Sequence, residues 1–243
     1  ADLRAFGIAP LTSMFLFDAS NRARFDDYRN AVHDSDGLQI LNGRNERIWR
    51  PLANPRTLQV SSFVGDGPRR LALVQRKRDF EDYEGAEALY DRRPSAWVEP
   101  QGNWGPGHVD LVEIPTDREI HDNIVAFWQP AAPLPAGTSA EFAYRLRFTR
   151  EPLDDSLARV VATRTGKALQ AENERSFIVD FRGAGPPPGD VLANVWASGG
   201  KVKDARTEFL SEAGVYRVSF ELDPGRETLI ELRMTVRTRD VPW

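Results

Sequence analysis

The stretch His33-Asp34-Ser35-Asp36-Gly37 places an imidazole and two carboxylates within four positions. Such groups can ligate a metal, move a proton or bend the chain. A calcium loop of the EF-hand type needs glycine at its sixth position and a bidentate glutamate at its twelfth. Counted from Asp34, glycine falls fourth and Asn45 falls twelfth. No metal site is expected here. Asp followed by Gly is a common bend, because Asp bonds its own backbone and Gly accepts unusual dihedrals. A turn is therefore the plain reading of Asp36-Gly37.

Proton-transfer chemistry needs a second carboxylate. Glycoside hydrolysis uses two, one protonating the leaving oxygen and one activating water or attacking carbon. The best partner is Asp122 in "EIHDNIVAFW", just ahead of an apolar strand. Partial desolvation there would raise its proton affinity. Taken alone, the residues favour a turn role for this Asp as well.

Flat aromatic rings beside polar groups suit pyranose binding. Trp49, Trp97, Trp104 and Trp128 all lie before a proline-rich stretch at 129–137. Trp104 sits in "QGNWGPG", a glycine-rich loop where a core indole is unexpected. The other three sit in strand-like segments, and such tryptophans commonly fill cores. Arg93, in "YDRRPSAW", is a sugar donor or a surface ion-pair partner. Candidate substrate contacts are thus Asp36, Trp49, Arg93, Trp97 and Trp104. His33 and His121 each precede a candidate aspartate, but the histidines form no close ligand pair.

The elements that must hold these groups read almost wholly as strands. Short β-branched or aromatic runs recur at 13–17, 46–52, 57–64, 70–76, 96–100, 108–114 and 123–129. Gly- and Pro-rich turns separate them. Residues 79–90 could hold a helical turn or two. The segment "QPAAPLPAG" at 129–137 has three prolines and a glycine, which cannot continue a sheet ladder. It divides the chain into residues 1–129, a linker at 130–137 and a second domain at 138–243. Seven strand-like runs follow at the spacing of an immunoglobulin-like sandwich. In the first of these, "AEFAYRLRF", Phe142, Tyr144, Leu146 and Phe148 share one face.

The chain has 243 residues, 41% hydrophobic and 28% charged, with net charge −4 and no cysteine. That composition can bury a core. It rules out thiol catalysis and disulfides, and acidic balance argues against nucleic acid as partner. No apolar run approaches a membrane span. Nucleotide-binding, serine-hydrolase and zincin signatures are missing. No cofactor is expected. The first residues lack the basic and apolar regions of a signal peptide, so the chain reads as a mature or truncated product.

The strings "HDSDGL", "LVQRKRDFEDYE" and "YDRRPSAWVEPQGNWGPGHVDLVEIPTDREIHDNIVAFWQP" strongly resemble the osmoregulated periplasmic glucan biosynthesis protein G/D family. The resemblance implies an all-β fold: the later part of a galactose-mutarotase-like sandwich, then an immunoglobulin-like sandwich. It implies a periplasmic location and work on the β-1,2-linked glucose backbone of periplasmic glucans. It further implies an inverting endo-β-1,2-glucanase, with Asp122 as proton donor and Asp34 as base. The alternative is a non-catalytic protein that binds glucan and guides it, partnered with a membrane glucan synthase. Family members carry a long portion of the sandwich before "APLTSMFLF", so this chain reads as a fragment. A separate N-terminal piece or self-association is expected to cover its exposed edges.

Overall fold

A computed structural model describes residues 1–151, 153, 157–169, 171–183, 191–238 and 241–242. Among these the regular structure is strand, with three short 3₁₀ turns. The expected all-β fold is what the chain adopts. Contacts divide it into two compact units, Ala1–Pro152 and Leu153–Trp243.

In the first unit, one antiparallel sheet runs in the order β1 (Ile8–Ser13), β10 (Ile124–Pro130), β9 (Gly107–Glu113), β6 (Gln59–Gly65). The other runs β11 (Ala143–Thr149), β8 (Ser95–Gln101), β7 (Pro68–Val74), β4 (Gly37–Asn42), β5 (Arg47–Pro51). Alternate residues of each strand point inward. Leu11, Val109, Leu111, Ile124, Ala126 and Trp128 of the first sheet meet Leu38, Ile40, Leu71, Leu73 and Val98 of the second in one core. A small ribbon, β2 (Phe15–Phe17) with β3 (Val32–His33), lies beside it. It has its own apolar cluster of Met14, Leu16, Phe17, Ala31, Val32, Tyr83 and Tyr90.

The boundary between units falls later than the proline-rich stretch. That stretch is pinned to the first unit, where Leu3 and Leu134 exchange backbone hydrogen bonds of 2.9 Å. The chain then returns to the same unit as edge strand β11, paired with β8 from Ala143↔Gln101 to Thr149↔Ser95. Its alternation is as expected, but Tyr144, Leu146 and Phe148 are 43–64% exposed. On the opposite face Arg147 pairs with Glu99 at 2.7 Å.

The second unit also has two antiparallel sheets. One is ordered β12 (Arg159–Lys167), β13 (Arg175–Arg182), β16 (Val215–Asp223), β15 (Lys201–Leu210); the other β14 (Val191–Ala197), β17 (Leu232–Thr238), β18 (Val241–Pro242). Phe177 and Phe220 stack across β13 and β16 at 5.0 Å. The buried Asp180 carboxylate accepts two bonds from Arg217 and one from Arg164, at 2.7–2.9 Å. These charge-assisted bonds offset the desolvation that burial imposes on it.

Candidate active site

The candidate carboxylates stand where β2 and β3 meet the main sandwich. "HDSDG" is a junction between strands rather than one turn: the chain bends at Asp34 and at Asp36, and Gly37 already begins β4. Gly37 is required by close approach. A Cβ there would lie within 3 Å of three atoms of the Trp49 indole. Trp49, opposite Gln39 on β5, thereby lies flat over the first residue of β4.

Asp36 is 7% exposed. Its Oδ2 accepts the backbone N–H groups of Arg76 and Lys77 at 2.5 and 2.9 Å. Burial works against its charge, but Arg76 and these two donors help to hold the carboxyl below its ordinary range. Its backbone bonds Val74 O and Leu52 N–H at 2.8 and 3.0 Å. Asp36 therefore fastens β4 to the segment after β7.

His33 is fully buried, stacked on Phe15 with centroids 5.1 Å apart. The Gln75 amide nitrogen donates to the carbonyls of His33 and Tyr90 at 3.1 and 3.0 Å. That fixes the amide's orientation, so its oxygen faces His33 Nδ1 at 3.2 Å. The proton accordingly sits on Nδ1. Among the described residues Nε2 has no hydrogen-bond partner, and it lies 4.0 Å from Asp36 Oδ1. Burial drives the imidazole toward its neutral form. His33 is structural, a buried ring between Phe15 and Tyr83.

Asp34 differs from both neighbours. Its side chain is 27% exposed, and its Oδ1 stands 3.3 Å from Arg93 Nε. Burial pushes its carboxyl above the ordinary range. Arg93 opposes that shift, the negative charge of Asp122 adds to it, and a backbone hydrogen bond from Met14 works with Arg93. The fold thus brings Asp34 and Asp122 into one electrostatic field, although 88 positions (122 − 34) separate them in sequence. Asp122 itself is exposed.

The device that joins them is Asn123, which is 2% exposed. Its Oδ1 accepts Phe15 N–H at 2.8 Å, and its Nδ2 donates to Phe15 O and Ile114 O, both at 3.0 Å. Phe15 in turn pairs with His33, next to Asp34. Asp122 and Asp34 therefore flank the two sides of one clamp. Sequence reading misses Asn123, since Asn ahead of a strand reads as a turn residue. It also misses Tyr90 and Glu119. The Tyr90 hydroxyl donates to Glu119 Oε2 at 3.1 Å, and Arg29 Nη1 lies 2.8 Å from the same oxygen. Burial raises the Tyr90 hydroxyl's pKa, and the charges of Glu119 and Asp34 add to this.

The structure brings Arg93 to Asp34 and leaves Trp49 half-buried beneath the Arg76 guanidinium, 5.0 Å from the ring centroid. Three expected sugar contacts are buried. Asp36 is buried on backbone donors. Trp97 is 2% exposed and donates its Nε1–H to Thr149 Oγ1 at 3.0 Å. Trp104 is 7% exposed and donates to Ala143 O at 3.2 Å, edge-on to Phe142 and Tyr144. Its loop looks open in sequence, but edge strand β11 covers the ring. None of these three rings or carboxylates offers a face to a sugar.

A two-sheet β-sandwich with one half-buried and one exposed aspartate flanking a strand junction defines an all-β protein with a candidate acid–base pair. The chain belongs to the periplasmic glucan biosynthesis protein family: the family model described as "Periplasmic glucan biosynthesis protein, MdoG" matches residues 1–243. It is 47% identical over 240 residues to Glucans biosynthesis protein G of Shewanella sp. (strain ANA-3), covering 97% of this chain and 44% of that relative. It is 48% identical over 236 residues to the protein of that name from Vibrio cholerae serotype O1 (strain M66-2), covering 96% of this chain and 43% of the relative. The chain thus spans less than half the length of these relatives. Among the described residues no helix is long and apolar enough to cross a membrane.

Proposed function

We propose that the whole protein, of which this chain forms part, acts in the periplasm on β-1,2-glucan during its synthesis, as an inverting endo-glucanase. The observation that carries this is that a half-buried Asp34 and an exposed Asp122 share one electrostatic field across the clamp that Asn123 makes on Phe15. Asp122 protonates the leaving glycosidic oxygen. Asp34 takes the proton from the attacking water, directly or through an intervening hydroxyl or water. Inverting pairs stand about 6.5–9.5 Å apart to admit that water. In this reading Arg93, beside Asp34, and the exposed part of Trp49 contact the sugar.

The test is to follow linear β-1,2-glucan with the whole protein by proton NMR. Inversion at a β-linkage releases the α-anomer first. Initial release of the β-anomer would overturn the inverting reading. The exposure of Asp122 in the free chain favours a second reading, a glucan-binding guide for a membrane synthase. Firm glucan binding without any new reducing end would establish that one instead.

A pH dependence follows from Asp34. A base works when ionised, so activity is lost as pH falls through its pKa. Burial raises that pKa, and the acid limb of kcat/KM therefore lies above the ordinary aspartate range. Arg93 holds the pKa down. Arg93→Ala is expected to shift the acid limb to higher pH. An acid limb that stays in place would exclude Asp34 as the titrating base.

A further inference from the structure

The second unit carries an exposed row, with one aromatic ring in it, that its own core does not use. In the β14–β17 ladder, Leu192 faces Arg237, Asn194 faces Thr235 and Trp196 faces Arg233. Opposed residues of an antiparallel pair project from the same side of the sheet. The alternate positions Val191, Ala193 and Val195, with Val236 on β17, take the other side and are more buried. The outward side of a half-buried strand is normally polar. Here it holds Trp196, 55% exposed, and Leu192, 63% exposed. Trp49 is half-buried, and Trp97, Trp104 and Trp128 are buried. Trp196 alone among the described tryptophans presents its ring to solvent.

The surroundings are polar and ordered. Two residues beyond Trp196, Ser198 N–H donates to Glu231 O and Glu231 N–H donates to Ser198 Oγ, both at 2.9 Å. This double bond-pair closes the end of the ladder and holds Trp196 and Arg233 in register. Within the described residues, β14 is the edge of its sheet. The row from Leu192 to Trp196 extends about 13 Å at strand rise, long enough for a short oligosaccharide.

We propose that this outer face of β14 and β17 is a second glucan-binding site. The Trp196 indole stacks on the C–H face of a pyranose, and Arg233, Asn194, Thr235 and Arg237 bond its hydroxyls. A protein interface would also draw on Trp and Arg. A carbohydrate fits better because the row is narrow and linear, with one flat ring set among side chains that carry amide, hydroxyl and guanidinium groups. The inference rests on the glucan reading above. It assigns the second unit a part in holding the polymer.

The experiment uses the whole protein carrying Asp122→Asn, so that glucan is not consumed, and titrates linear β-1,2-glucan by calorimetry. Adding Trp196→Ala is expected to weaken binding about tenfold, the loss of one well-placed aromatic contact. Adding Trp196→Phe keeps a ring and is expected to retain most of the affinity. Unchanged secondary structure by circular dichroism accompanies both, because the side chain points outward. Parent-like affinity in Trp196→Ala would overturn this site and leave the carboxylate pair untouched. A parent protein that binds no glucan, together with a wild type that cleaves none, would overturn the glucan reading itself and this site with it.

Discussion

Replacing Asp122 with Asn in the whole protein is expected to lower β-1,2-glucan cleavage by about 10³-fold, the usual loss when a general acid is removed. The same change should leave stability within about 0.5 kcal/mol, as for exposed sites generally, since Asp122 is exposed and the adjoining clamp is made by Asn123. That separation of effects makes the variant informative. Glucan binding should persist while release of reducing ends stops. Cleavage at the parental rate would remove Asp122 from the mechanism. Asp34→Asn should also stop cleavage, but its stability signature differs. A carboxyl whose folded pKa is raised contributes most below its unfolded pKa, and that contribution is lost as pH rises through the folded value. Asn carries no such charge. Asp34→Asn is therefore expected to be at least as stable as the parent at neutral pH, with a flatter stability profile above the acid range. A denaturation series against pH reads this directly.

Much of this architecture is legible in the sequence because period-two alternation marks strands wherever one face is buried. The expected runs at 96–100, 108–114 and 123–129 lie inside or within a residue of β8, β9 and β10. The edge strand β1 is not visible, because Pro10 interrupts it. The structure accommodates that residue with a register shift between Ile8 and Leu11 and a positive φ of 51° at Ala9. Strand β4 is hidden for a different reason. Its first residue is the glycine of "HDSDG", and that glycine serves the contact with Trp49 rather than a tight turn. Periodicity also cannot say which sheet a strand joins. The alternation in "AEFAYRLRF" is clear, yet its partner β8 lies before the proline-rich stretch. The burial of Trp104 is hidden for the same reason, since its cover comes from that strand.

The candidate site divides along similar lines. Asp34 and Asp122 stand out through their resemblance to a family pattern, and the fold supplies the physical difference between them. Asp36 looks equivalent to Asp34 in sequence. Only the placement of the Arg76 and Lys77 N–H groups commits it to the backbone. Such a role depends on a segment 40 positions away and leaves no local signal. The network of Tyr90, Glu119 and Arg29 is likewise assembled from three separate segments.

Asn123→Ala is expected to produce the largest loss of stability among these changes, about 3–5 kcal/mol. The Asn123 amide does for Phe15 what a neighbouring strand would do, accepting from its N–H and donating to its carbonyl, while also holding Ile114 O. Removing it leaves one donor and two acceptors in a buried region, each costing roughly 1–3 kcal/mol when unmet, with incomplete additivity. Against a total stability of about 5–15 kcal/mol this is a large fraction. Asn123→Asp should not restore it, since a carboxylate keeps the acceptor for Phe15 N–H but turns a donor into an acceptor facing two carbonyls. Urea denaturation of the whole protein measures the change, and a shift under 1 kcal/mol would show that the clamp is dispensable. Below the lowered unfolding midpoint the surviving folded protein should bind glucan yet turn over more slowly. The clamp sets how Asp122 stands relative to Phe15, and through the Phe15–His33 pairing relative to Asp34. Loosening that spacing weakens an arrangement needed only when both carboxylates act on one bond, so kcat should fall further than affinity.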